Sequence, residues 1–219
     1  MLAMTHRTKQ PAAYPATLRP GQAQTDSMPI SHPPLLGFAA YSGTGKTTLL
    51  TRLIPILKQR DLQLGVIKYS HHDFEIDHPG KDSYRLRVAG ATPVMVVSPY
   101  RRAVITEFPV QREINLQEQL DLFPAQGLDL ILVEGFRHQA FSKIELHRPL
   151  LGKPLIYPGD SGIIAVASDL PLQTPAHIPC LDLNDPDNIA RFIIDDFLQN
   201  IQLQQATTPR ANTQPRSSD

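Results

Sequence analysis

Eight consecutive residues carry the clearest chemistry in the chain: Ala40-Tyr41-Ser42-Gly43-Thr44-Gly45-Lys46-Thr47. Glycines at 43 and 45 let successive backbone N–H groups turn toward one centre, and such a concave row binds oxyanions. Lys46 adds a point charge suited to β- and γ-phosphates, and the Thr47 hydroxyl is a ligand type for Mg²⁺. A helix opening here aims its N-terminus at the same anion. The spacing is that of a phosphate loop in relaxed form. Ala40 stands where a first glycine is usual, at a position that needs only a small residue. A glycine-rich turn beside an unrelated lysine is the plainer reading. The apolar run before the loop and the helical spacing after it favour phosphate binding.

A second candidate is Asp129-Leu130-Ile131-Leu132-Val133-Glu134-Gly135-Phe136, an apolar run ending in an acid and a glycine. In a parallel sheet, ligands gather at the carboxyl ends of strands. Glu134 would then emerge beside the phosphate loop, where it could hold Mg²⁺ directly or through water, or orient an attacking water. Gly135 would permit close approach to a γ-phosphate. Asp129, at the far end of the strand, reads as a turn residue.

The third is the loop from Ser70 to Ser83, dense in ligand-type side chains: His71, His72, Asp73, Glu75, Asp77, His78, Lys81 and Asp82. Three readings stand open. Asp73 can serve Mg²⁺ or the water as part of a switch loop. His71, His72 and His78 can form a separate transition-metal site. Or the loop is solvated, with Asp82 and Ser83 starting a helix.

These residues need elements to position them. Leu35–Tyr41, Leu64–Tyr69, Pro93–Ser98, Ala103–Glu107, Asp129–Val133, Lys143–Leu146, Ile163–Ala167 and Cys180–Leu183 read as strands. Helices are expected over Thr47–Arg60, Asp82–Gly90, Glu113–Phe123 and from Pro186 to about Ile201. Pro55 inside the first helix predicts a kink or a break. Asp185 before Pro186 is a strong helix start. Continuous apolar strands alternating with helices predict an α/β fold: three layers, a mostly parallel sheet flanked by helices.

Composition bounds the rest. The 219 residues carry 21 basic and 21 acidic side chains, 21 Pro and one Cys. Neutral balance disfavours a nucleic-acid binder. A lone cysteine, Cys180, excludes an internal disulfide and a cysteine-rich zinc site. No apolar run is long enough to span a bilayer, and the N-terminus lacks a secretory apolar core. A soluble, cytoplasmic protein is the expectation. Residues 1–34 hold six of the prolines with few apolar residues and read as a disordered Pro-rich arm, as does a polar tail at 202–219. The two arms carry a net +3, leaving −3 on the nucleotide-binding domain expected at 35–201.

Taken together, several stretches resemble the molybdopterin-guanine dinucleotide biosynthesis adapter family (MobB). They are Phe38 to Thr48, His71-His72-Asp73, Gly80 to Tyr84, Leu130 to Phe136, Ala165 to Asp169, and Leu181 to Asp185. The resemblance spans about 35–200. It implies a P-loop GTPase of weak intrinsic activity, typically a homodimer, using GTP and Mg²⁺. Such a protein assists the guanylyltransferase that attaches GMP to molybdopterin. By motif, Ser42, Gly43, Thr44, Gly45, Lys46, Thr47, Thr48 and Gly135 would line the nucleotide. Lys46, Glu134 and Asp73 would be the catalytic set, with Thr47, Glu134 and Asp73 on the metal side. Asp169 would accept from guanine N–H groups. The usual Asn-Lys-x-Asp guanine motif is absent, and Arg137 stands where the family commonly has Lys.

Two other function classes remain on the residues alone. One is a small-molecule kinase or ATP-dependent ligase of the dethiobiotin synthetase-like class, with Tyr84, Arg85 and Arg87 as candidate pocket lining. The other is a scaffold that keeps nucleotide as a structural ligand.

Overall fold

A computed structural model describes residues 32–207. The expected arm up to Ser31 and the end of the expected tail, 208–219, lie outside the described residues. Among the described residues, eight strands form: β1 (Leu35–Ala40), β2 (Leu64–Lys68), β3 (Val94–Val97), β4 (Arg102–Ile105), β5 (Leu130–Glu134), β6 (Lys143–His147), β7 (Ile163–Ser168) and β8 (Cys180–Asp182). Six of them make one sheet in the order β2-β5-β1-β6-β7-β8, with every pairing parallel. β3 and β4 form a separate antiparallel pair.

The helices are α1 (Lys46–Lys58), α2 (Asp82–Val88), α3 (Leu116–Leu122), α4 (Pro186–Arg191) and α5 (Gln199–Thr207). Alternation along the strands explains the layers. Leu36, Phe38, Leu130, Leu132, Ile144 and Leu146 join Leu49, Leu50, Leu53 and Leu57 of α1 and the apolar side of α4 in one core. On the other face, Ile131 and Val133 pack with Leu116 and Leu120 of α3. Both faces of the central strands are covered, so their sequences read as unbroken apolar runs.

Three features differ from expectation. α3 begins at Leu116, behind an Asn115 side chain that accepts from the Gln117 N–H, rather than at Glu113. α1 runs through Pro55 without a break, and the Gln59 N–H donates to the Pro55 carbonyl at 2.9 Å. Burial of Leu53 and Leu57 on either side outweighs the N–H that proline lacks. At the C-terminus, α4 passes into a π-helical stretch, Phe192–Leu198, and helix continues to Thr207 rather than ending near Ile201. Phe192, Ile193, Phe197 and Leu198 are buried, so the wider turn keeps this apolar side on the core.

β6 carries an unexpected row of ionisable side chains on the face opposite Ile144 and Leu146: Lys143, Glu145 and His147, all buried. The Lys143 ammonium donates to the Gln139 carbonyl at 2.6 Å and lies 3.0 Å from Asp160. The Glu145 carboxylate accepts from the backbone N–H groups of Ile156 and Tyr157 at 2.8 and 2.9 Å. It thereby ties down the irregular segment that follows β6. Burial pushes the Glu145 carboxyl above its ordinary value of 4.5, and the two N–H donors pull part of the way back. The folded chain therefore holds this proton more tightly than the unfolded chain. The corresponding stability is present below pH 4.5 and is lost as pH rises through the raised folded value. Glu145→Gln removes this component. Urea midpoints measured between about pH 4 and 7 should fall more for the wild type than for the variant as pH rises. Parallel curves would refute the assignment.

Candidate nucleotide site

The phosphate loop leaves β1 at Ala40 and enters α1 at Lys46. Its turn is closed by Thr44, which is buried and whose hydroxyl donates to the Tyr41 carbonyl at 2.8 Å. Gly45 is the N-cap of α1 with φ +97°, so it brings no side-chain cap, and the first turn holds no acid. The first N–H groups of this helix are thus left for an external acceptor, and the helix dipole favours a negative one. Ser42, Gly43, Thr47 and Thr48 are exposed around that opening.

Opposite the loop stands Glu134, at the carboxyl end of β5. Phe38, Glu134 and Lys68 occupy one row across β1, β5 and β2. Glu134 is mostly buried, with Oε1 3.7 Å from the Lys46 ammonium and Oε2 3.3 Å from that of Lys68. Glu134 thus stands beside the first residue of α1. Its position is fixed by the next two residues. Gly135 has φ +106°, and a Cβ there would lie 2.7 Å from Tyr69 Cβ and 3.2 Å from the Tyr69 carbonyl oxygen. Phe136 also has positive φ, at 52°, and its ring stacks on Tyr69 with centroids 4.8 Å apart. The Tyr69 N–H donates to the Glu134 carbonyl at 2.8 Å.

Asp169 follows β7. Its Oδ2 accepts from Arg148 Nη1 at 2.6 Å, and the same guanidinium donates from Nε to the Thr44 carbonyl at 2.9 Å. Asp169 thus stands one side chain away from the phosphate loop, and its Oδ1 is buried without a hydrogen-bond partner. Asp73 is exposed, and its carboxylate caps the N–H of Phe74. No hydrogen bond or ion pair joins it to Lys46, Thr47 or Glu134. His71, His72 and His78 are exposed, and the described residues contain no group of three or more His, Cys, Asp or Glu able to hold a metal ion. His71 stands edge-on to Tyr69.

The loop from 70 to 81 is held by other charges. Arg87 pairs with Glu107 at 2.5 Å and Glu75 at 3.1 Å, and Ser83 donates to Asp77. An open groove of about 1040 Å³ runs between this loop, the β2 edge and β4. Of the three residues suggested for a kinase pocket, Arg87 alone lines it, with its charge already paired. Arg85 pairs with Asp82, and Tyr84 lies under the Arg87 guanidinium. Arg137 is exposed and bonds His138.

Two cations at the site, Lys68 and Arg148, were not singled out from the sequence. Both sit at the carboxyl ends of parallel strands, the rule that selected Glu134. Applied to every strand, it finds them.

A parallel sheet with helices on both faces, and an uncapped glycine-lysine loop after its central strand, define a P-loop NTPase fold. Comparison with known proteins narrows this. Residues 35–169 match the family model of molybdopterin guanine dinucleotide synthesis protein B, MobB. The molybdopterin-guanine dinucleotide biosynthesis adapter protein of Escherichia coli is 48% identical over 163 residues, covering 74% of this chain and 92% of the relative. That of Haemophilus influenzae is 42% identical over 160 residues, covering 73% and 87%. A crystal structure of molybdopterin-guanine biosynthesis protein B superimposes with a TM-score of 0.57 at 26% identity, over 74% of this chain and 98% of that one. The chain belongs to the MobB family of molybdopterin-guanine dinucleotide biosynthesis adapter proteins. Among the described residues, no helix is long and apolar enough to cross a membrane.

Proposed function

We propose that the chain binds GTP with Mg²⁺, hydrolyses it slowly, and acts as a homodimeric cytoplasmic adapter for the guanylyltransferase that attaches GMP to molybdopterin. The observation that carries the reading is the open N-terminus of α1, with Lys46 set against the Glu134 carboxylate at 3.7 Å. An arriving triphosphate offers Lys46 a stronger partner than one carboxylate, and the freed Glu134 then faces the reacting end of the nucleotide. The donor set suits the metal: the exposed Thr47 hydroxyl, a carboxylate and phosphate oxygens are hard oxygen ligands. When bound, Mg²⁺ would neutralise charge on the β- and γ-phosphates. Thr47 and Glu134 would hold it, with Asp73 a further candidate from the loop that follows β2. The backbone N–H groups of residues 43–48 orient the phosphates, and Lys46 stabilises charge on them. Glu134 holds or orients the attacking water. The Arg148–Asp169 pair supports the base side, where Asp169 is the proposed guanine acceptor.

Titration of the chain with GTP and ATP in the presence of Mg²⁺ tests this, and a preference for ATP overturns it. Glu134→Gln separates binding from chemistry: hydrolysis should fall by about a hundredfold while GTP affinity changes by less than about fivefold. Retained hydrolysis in that variant removes Glu134 from the catalytic set. Capture of the guanylyltransferase with and without GTP tests the adapter role.

A further inference from the structure

Glu134 is flanked by two ammonium groups, and the phosphate loop explains only one of them. The second, Lys68, is the last residue of β2, in the same row as Glu134. Its ammonium lies 3.3 Å from Glu134 Oε2, while Lys46 lies nearest Oε1. The backbone around it is pinned by the Tyr69 N–H to Glu134 carbonyl bond, by the Gly135 contact with Tyr69, and by the Tyr69–Phe136 stack. The side chain beyond that anchor is 59% exposed, so its head is free to change partners. Two cations against one carboxylate leave a local excess of one positive charge around Glu134, beside the first residue of α1. An exposed ion pair contributes little by itself. A lysine held at a strand's carboxyl end, with its only described partner in the nucleotide site, is placed for an incoming anion.

We infer that Lys68 is a second phosphate-binding cation: on binding of a nucleoside triphosphate its ammonium leaves Glu134 and pairs with the terminal phosphoryl group. Lys46 and the loop N–H groups then serve the β- and γ-phosphates from the loop side, and Lys68 reads whether the third is present. This deepens the nucleotide-binding reading above and rests on it. It also supplies a cation at the terminal phosphate from within the chain.

The test is a set of calorimetric titrations of the full chain with GTP and with GDP, each with Mg²⁺. The expected result is that Lys68→Ala weakens GTP binding about ten- to a hundredfold and GDP binding by less than about twofold. Lys68→Arg should restore most of the lost GTP affinity. A GTP-to-GDP ratio unchanged by Lys68→Ala overturns the inference, as does a wild-type chain that binds both equally. A role exercised only through Glu134 is separated by repeating Lys68→Ala in a Glu134→Gln background. Persistence of the GTP-specific loss supports direct contact, and its disappearance overturns it. If the wild-type chain binds neither GTP nor ATP, the nucleotide reading itself fails. If it binds GTP and only the ratio test fails, that reading stands and Lys68 is a surface ion-pair partner.

Discussion

Lys46→Ala should abolish nucleotide binding at concentrations that saturate the wild-type chain, a loss of about 2–4 kcal/mol or roughly 30- to 1000-fold. The size follows from the site. Lys46 is the first residue of α1 and its side chain is 23% exposed, so its charge acts on a bound anion with less screening than a free surface lysine. The loop itself should survive, because its turn is closed by the Thr44–Tyr41 contact and by Arg148 on the Thr44 carbonyl. Glu134 keeps Lys68 as a partner at 3.3 Å, so no carboxylate is stranded. The melting temperature without nucleotide should therefore move by no more than about 2 °C. Adding GTP should raise the melting temperature of the wild type and leave that of the variant unchanged. Equal ligand-induced shifts would remove Lys46 from the site.

Gly135→Ala should be among the most destabilising single-methyl changes near the site, at about 3–5 kcal/mol. Two penalties add. The backbone there has φ +106°, which an L side chain adopts at a cost, and the new Cβ would lie 2.7 Å from Tyr69 Cβ and 3.2 Å from the Tyr69 carbonyl. That neighbour is strand-end backbone and cannot swing away like a side-chain tip. Relief requires the ends of β2 and β5 to part, and those ends carry Lys68 and Glu134. Gly127→Ala provides the comparison: φ is +76°, but no atom lies within 4 Å of the added Cβ. It should cost about 1–2 kcal/mol and leave nucleotide affinity unchanged. Melting temperatures should differ accordingly, by about 10 °C or more for Gly135→Ala. Equal shifts for the two variants would show that the contact with Tyr69 is unimportant.

Much of this architecture is legible in the residues. The runs at 35–40, 130–134 and 163–168 are apolar at nearly every position because both sheet faces are covered, and that signal distinguishes a buried parallel strand from an amphipathic one. The loop at 40–47 is legible because its chemistry is local: backbone N–H groups, a lysine and a hydroxyl within eight residues. Asp185 capping the Asn188 N–H at 3.0 Å is legible for the same reason. The unbroken helix at Pro55 is not legible, because the local penalty is visible in sequence and the compensating burial of its neighbours is not. Lys143 and Glu145 hid in a short strand-like stretch because a buried ionisable group is recognised only with its partners, and Asp160, Ile156 and Tyr157 lie on the segment that follows.

The sequence by itself determined the layered parallel fold, the phosphate loop and the acid at the end of β5, since each depends on residues close together in the chain. Tertiary structure decided which distant residues share that acid. Residues 46, 68 and 134 meet because the sheet order β2-β5-β1 brings three strand ends into adjacent rows. Arg148 reaches Thr44 and Asp169 because β6 lies between β1 and β7. Strand order arises from how apolar faces pack across the whole domain, and no local pattern encodes it. The loop's chemistry is therefore written in eight residues, while the charges that complete it come from strand neighbours fixed only on folding.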